Sequence, residues 1–227
     1  MLRQFIIDIF DDALRRGLSL VMNVELSDRQ WDQGNLLVHI GGLGVRSASM
    51  LASSAFLASA AATLPLQNGI LSKSVQDEED PAMRSTILVW KKISHSSIPA
   101  NALKHIQKAW DSPVTVTVYQ KLLADSCNTP IDAARLRAVA SKHAGDWLHA
   151  APITAVGLRP SDEAIRVAVS HHLGCTTCQP HTCICGMAVN AKRLHGLSCR
   201  NSSPCQIRHA QLNDIVWRAV KKRNTRQ

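Results

Sequence analysis

The stretch Cys175-Thr-Thr-Cys178-Gln-Pro-His181-Thr-Cys183-Ile-Cys185-Gly186, followed by His195-Gly-Leu-Ser-Cys199, holds five of the chain's seven cysteines. Thiolates and imidazoles this close together are the soft donors that suit tetrahedral zinc, which takes four ligands at about 2.0–2.3 Å. Cys183 and Cys185 make the first candidate pair, with Gly186 relieving the turn behind them. His195 and Cys199 make the second, because a His-x3-Cys pair spans one helical turn or a tight loop and both donors can face one ion. Donors outnumber what one ion needs, so a set in which Cys175, Cys178 or His181 replaces one of the four stays open. Disulfides are the competing reading, set back by the odd cysteine count and by the lack of other marks of secretion. A catalytic zinc would need an open position and a nearby general base, and residues 175–199 contain no carboxylate. The expected cofactor is a structural zinc.

Charge gathers around the same segment. Residues 1–185 carry 17 Lys or Arg against 16 Asp or Glu, whereas residues 186–227 carry 9 against 1, so nearly all of the net +9 lies at and beyond the cysteines. Lys192 and Arg193 fall between the two ligand pairs, Arg200 follows the last ligand, and Arg208, Lys221, Lys222 and Arg223 continue toward the end. A rigid loop surrounded by cations is a footprint for phosphate, and such contacts give affinity with little sequence information. DNA or RNA is therefore the expected partner, against the plainer reading of a solvated basic tail.

The elements that must position these residues read as helical. Hydrophobic residues make up 45% of the chain but aromatics only 4%, and much of the remainder is Ala, Leu and Val, a composition for close-packed helices. Ile6, Ile9, Phe10, Leu14, Leu18 and Val21 recur at three- and four-residue intervals, which predicts an amphipathic helix with that face buried. Ser27 can cap a short helix through Trp31. Gly41-Gly42-Leu43-Gly44 lacks the Lys-Ser/Thr of a phosphate loop and reads as a backbone turn. The uncharged stretch 47–72 reads as a small-residue helix packed inside a protein rather than a membrane span. Asp77-Glu78-Glu79-Asp80-Pro81 marks an acidic linker over 74–82, its carboxylates solvated rather than catalytic. Leu103, Ile106 and Trp110 mark one helical face. Pro130 opens a helix toward Leu148, with Trp147 in the core, and Pro160-Ser161 opens another that ends at Gly174. Cys205, His209, Leu212, Val216 and Ala219 keep helical spacing to the basic end. No repeat, heptad run or strongly alternating strand is evident. The expected fold is mainly α: helical domains over 1–73 and 83–174, a small zinc knuckle over 175–200, and a basic C-terminal helix over 201–227.

Several motifs, in order, resemble the region downstream of the polymerase in non-LTR retrotransposon polyproteins that end in a restriction-like endonuclease. They are Gly41-Gly-Leu-Gly-Val-Arg-Ser47 with Ser54-Ala-Phe-Leu-Ala-Ser-Ala60, Asp146-Trp147-Leu148, Asp162-Glu163-Ala164, Pro180-His181-Thr-Cys183-Ile-Cys185-Gly186 with His195-Gly-Leu-Ser-Cys199, and Arg208-His209 with Leu212-Asn213-Asp214. The resemblance covers nearly the whole chain. It implies that 1–73 follows a reverse transcriptase core, that the Cys/His knuckle helps grip nucleic acid, and that 201–227 opens an endonuclease-like domain. The departures are equally specific. Tyr119 is followed by Gln120 and Lys121 rather than the paired carboxylates of a polymerase turn, and the chain has no Pro-Asp dipeptide for a nuclease metal. The expectation is a non-enzymatic, zinc-structured, nucleic-acid-binding fragment, nuclear or cytoplasmic, without a membrane role and with other domains of the element as further partners. The alternative is a helical protein-interaction module that zinc only staples. An enzymatic reading would need Asp146, Asp162 or Glu163 brought to the metal.

Overall fold

In the computed structural model the described residues are 2–70, 81–151, 153, 159–199 and, beyond those, 201, 210, 213, 214 and 217. The protein is mainly helical. Contacts divide it into two compact units, Met1–Gly174 and Cys175–Gln227.

The first unit contains α1 (Leu2–Met22), α2 (Asp28–Gly34), α3 (Ala48–Ile70), α4 (Pro81–Ser94), α5 (Gln107–Ala124), α6 (Pro130–Val139) and α7 (Asp162–Leu173). Local chemistry sets their ends. Ser27 and Gln30 form a reciprocal capping box at α2, which runs on past Trp31 to Gly34. Ser161 accepts from the Ala164 amide at the start of α7, and Gly174, at φ 71°, closes it. α3 takes its N-terminal cap from another helix: the Asp11 carboxylate accepts from the Ala48 and Ser49 amides at 2.6 and 3.0 Å, a negative charge where the helix dipole favours one.

Two apolar clusters hold this unit together. Leu57 and Ala58 of α3 meet Trp90 of α4 and Trp110 and Val114 of α5, so residues on either side of the acidic segment share one core. The two indoles meet edge to face with centroids 5.0 Å apart, and each buried N–H is satisfied, Trp90 by the Trp110 carbonyl and Trp110 by the Lys104 carbonyl. Leu36, Leu122 and Leu136 form the second cluster. Between them Arg46 pairs with Asp111 and donates to the Asn35 carbonyl. Burial raises the Asp111 carboxyl above the usual range against the opposing pull of Arg46.

The glycine turn is structural. Gly41 and Gly44 have φ of 88° and 74°, and a Cβ on Gly42 would lie 1.9 Å from the Leu36 carbonyl oxygen. The Gly41 carbonyl accepts from Gln33 Nε2 at 2.9 Å and His172 Nε2 at 3.0 Å, while Arg135 donates to the Gln33 side-chain oxygen and to the His172 carbonyl near the end of α7. This network ties α2, α6 and α7 to the turn.

Four expectations need correction. The buried side of α1 is not Ile6-Ile9-Phe10-Val21, which are half or more exposed; the helix is rotated so that Ile7, Asp11, Leu14, Leu18 and Met22 turn inward, because Asp11 must reach the start of α3. Leu103 and Ile106 share no helix with Trp110: they sit in turns before α5 and stay exposed. The Pro130 helix stops at Val139, since His143 takes a left-handed φ of 68°, and a separate 3-10 turn follows over Asp146–His149. Trp147 is 40% exposed rather than core, and its ring meets His172 edge-on. α3 matches the expected helix, although only Ser54, Leu57 and Ala58 along it are buried and Leu64, Leu66 and Ile70 are exposed. It is long and apolar enough to cross a membrane. The acidic linker, apart from the first residues of α4, lies outside the described residues, as does most of the expected C-terminal helix.

Candidate metal centre

In the second unit a short antiparallel hairpin pairs β1 (His181–Thr182) with β2 (Ala188–Val189), in register His181 to Val189 and Thr182 to Ala188. The sequence reading missed these strands because each is only two residues long, below any alternating pattern. The connecting turn is Cys183-Ile184-Cys185-Gly186. The Cys183 amide donates to the Met187 carbonyl at 2.9 Å, and the Gly186 amide donates back to Cys183 at 2.8 Å. Gly186 takes φ 85° to complete it. Both thiols therefore project from one tight turn, with Ile184 almost wholly exposed at its tip.

The second donor pair comes from α8 (His195–Ser198), whose first residue is His195 and whose C-terminal cap is Cys199. Asn190 orients this turn: its side-chain carbonyl accepts from the Leu194 amide at 3.3 Å and its backbone carbonyl from Arg193 at 2.9 Å. The Thr177 and Cys178 amides both donate to the Ala191 carbonyl, clasping the loop from the other side. The aligning roles of Asn190 and Ala191 had no signal in residue type alone.

The ligand atoms of Cys183, Cys185, His195 and Cys199 all lie within 4.8 Å of one another, a group that could hold a metal ion. The Cys183 and Cys199 sulfurs are 3.7 Å apart, against about 3.7–3.8 Å for two thiolates at tetrahedral angles on one zinc with Zn–S of about 2.3 Å. Cys185 Sγ and His195 Nε2 are 3.0 Å apart. The alternative donors stand elsewhere: the Cys178 thiol faces the Asn190 and Ala191 carbonyls, His181 Nδ1 donates to the Gln179 carbonyl, and buried Cys175 is not among the four.

Electrostatics fit a cation as well. The Cys185 backbone amide, then the Cys185, Cys199 and His195 side chains, draw the Cys183 thiol down to about 6. Cys199 moves the other way: the Asn201 amide pulls it down, but burial and the neighbouring Cys183 and Cys185 push it up overall. Crowded thiols compete for ionisation, and a divalent ion removes that competition by binding all of them as thiolates. Among the described residues of 175–227 the only carboxylate is Asp214, and four Cys/His donors are the ligand set of a closed site.

Of the expected phosphate contacts, Lys192 is half-buried and Arg193 exposed, on the loop joining β2 to α8. Arg193 holds a left-handed φ of 57°. Arg200, Arg208, Lys221, Lys222 and Arg223 lie outside the described residues. No protein-family profile, curated protein or solved structure matches the chain.

Proposed function

We propose that this protein is a zinc-structured nucleic-acid-binding part of a non-LTR retrotransposon polyprotein, from the region between its reverse transcriptase and endonuclease cores, acting by binding rather than catalysis. The observation that carries the reading is the convergence of Cys183, Cys185, His195 and Cys199 from a hairpin turn and a single helical turn, with exposed Arg193 on the loop between them. Three thiolates and one neutral imidazole on Zn²⁺ make a closed, net-negative centre that performs no chemistry but fixes the loop. Lys192 and Arg193 are then held on that loop, where they contact phosphate oxygens. DNA or RNA is the partner, other domains of the element are further ones, and the nucleus or cytoplasm is the compartment.

The test is fluorescence anisotropy of the zinc-loaded chain against labelled single-stranded and duplex oligonucleotides at two salt concentrations. Log affinity should fall with log salt at a slope of about −0.9 per phosphate neutralised on duplex and about −0.7 on single strands. Lys192→Gln with Arg193→Gln should weaken binding without changing zinc content. Absence of salt-sensitive binding by the parent chain would overturn the reading. One observation favours the interaction module instead: Phe5, Ile6, Ile9 and Phe10 stand exposed on α1. Zinc without nucleic-acid binding would transfer the assignment to it.

A further inference from the structure

The turn Val38–Ile40 and the loop after α6 enclose a cleft of about 460 Å³ in the helical unit, lined by His39, Lys142, His143, Asp146 and His149 among others. Four of these five side chains carry positive charge or donate N–H. The single carboxylate is engaged: Asp146 Oδ2 lies 2.8 Å from His143 Nδ1, with both side chains 70% exposed, which leaves Nε2 as the ring's other hydrogen-bonding atom. His143 holds its left-handed φ of 68° although it is not glycine, a conformation that collects at ligand-binding sites. Gly145 seats the loop directly on the turn, since a Cβ there would fall 2.4 Å from Val38 Cγ1. The cleft is thus built by close backbone packing and exists before any ligand arrives.

Metal binding does not account for it. Among the described residues, donors converge within 4.8 Å only at Cys183, Cys185, His195 and Cys199, so the three histidines and Asp146 do not form a coordination group. Separated N–H donors and one lysine around a nucleotide-sized hollow instead match a phosphate ester.

We propose that this cleft is a second nucleic-acid contact that takes one backbone phosphate. Lys142 supplies the fixed charge, and His39, His143 and His149 supply N–H donors. The proposal rests on the nucleic-acid reading above but places a contact in the helical unit, apart from the knuckle's own residues.

The test uses the full, zinc-loaded chain and a labelled mixed-sequence single-stranded oligonucleotide at two salt concentrations. Lys142→Gln with His149→Gln should weaken binding about tenfold and make the salt slope shallower by about 0.7, and Lys142→Arg should retain parent affinity. Lys142→Gln alone, at an exposed position outside every helix, is the variant judged if the double substitution disturbs the helical circular dichroism. Unchanged affinity in the cleft variants, with loss in Lys192→Gln/Arg193→Gln, overturns the cleft and leaves the knuckle reading standing. Loss in the cleft variants alone supports the cleft and overturns the knuckle as the grip. No binding by the parent at either salt overturns both.

Discussion

Met1–Gly174 buries Leu36, Leu57, Trp90, Trp110, Leu122 and Leu136 to 2% exposure or less, whereas among the described residues of Cys175–Gln227 only Cys175, Val189 and Cys199 are buried. The first unit draws its stability from apolar burial, at about 25 cal/mol per Å² removed from water. Among its described residues the second has one buried aliphatic side chain, too little to offset the entropy of ordering those loops without a staple. Each should therefore fail under a treatment that spares the other.

Metal removal should have the largest effect. A structural zinc contributes about 10–16 kcal/mol of binding free energy in small zinc-finger peptides. Chelation, or Cys183→Ser, should make 175–199 susceptible to proteolysis while the helical circular dichroism of the first unit persists. The converse break is Trp90→Ala, which empties the α3–α4–α5 core and leaves Trp110 without its partner. It should cost about 3–5 kcal/mol in denaturant unfolding of the helical unit, with metal content unchanged.

Acid should weaken both units through different groups. Burial lowers the His172 pKa against the pull of its Gly41 and Gly42 hydrogen bonds, so the unfolded chain binds more protons than the folded one. Stability of the helical unit is then present above about pH 6.5 and is lost as pH falls below it. His172→Gln keeps a donor toward Gly41 and should flatten that dependence in thermal melts at pH 5.5 and 7.5. For zinc held by the four donors of the second unit, the share of the affinity that depends on Cys183 ionisation should be lost as pH falls through about 6, with or without His172. The smallest effect is Asp11→Ala. Loss of the cap on α3 should cost about 1 kcal/mol, read as a modest fall in melting temperature, with zinc untouched.

Legibility followed the range of the interactions. Caps and stops were readable because Ser27, Ser161 and Gly174 act within a few residues of themselves, and the four-donor set was readable because its members lie close in sequence and each type has narrow chemistry. Faces set by distant partners were not. α1 is turned by the contact of Asp11 with Ala48 and Ser49, which no periodicity contains, so Leu14 and Leu18 of its expected apolar stripe turn inward while Ile6, Ile9, Phe10 and Val21 face out. Trp147 was placed in the core on hydrophobicity, whereas the positive φ of His143 and the packing of Gly145 on Val38 lift its turn to the surface. The cleft beside it joins His39 to Lys142, His143 and His149 across a hundred residues of chain, and nothing in either stretch alone announces the other.

The most direct test is the metal stoichiometry and cobalt spectrum of the purified chain. The expected result is one zinc per chain, replaceable by Co²⁺ with the visible absorption of a tetrahedral thiolate site and thiolate charge-transfer bands, both abolished by Cys183→Ser and unaffected by Cys178→Ser. A metal-free chain, or a cobalt spectrum that survives Cys183→Ser and disappears with Cys178→Ser, would contradict the assignment of Cys183, Cys185, His195 and Cys199.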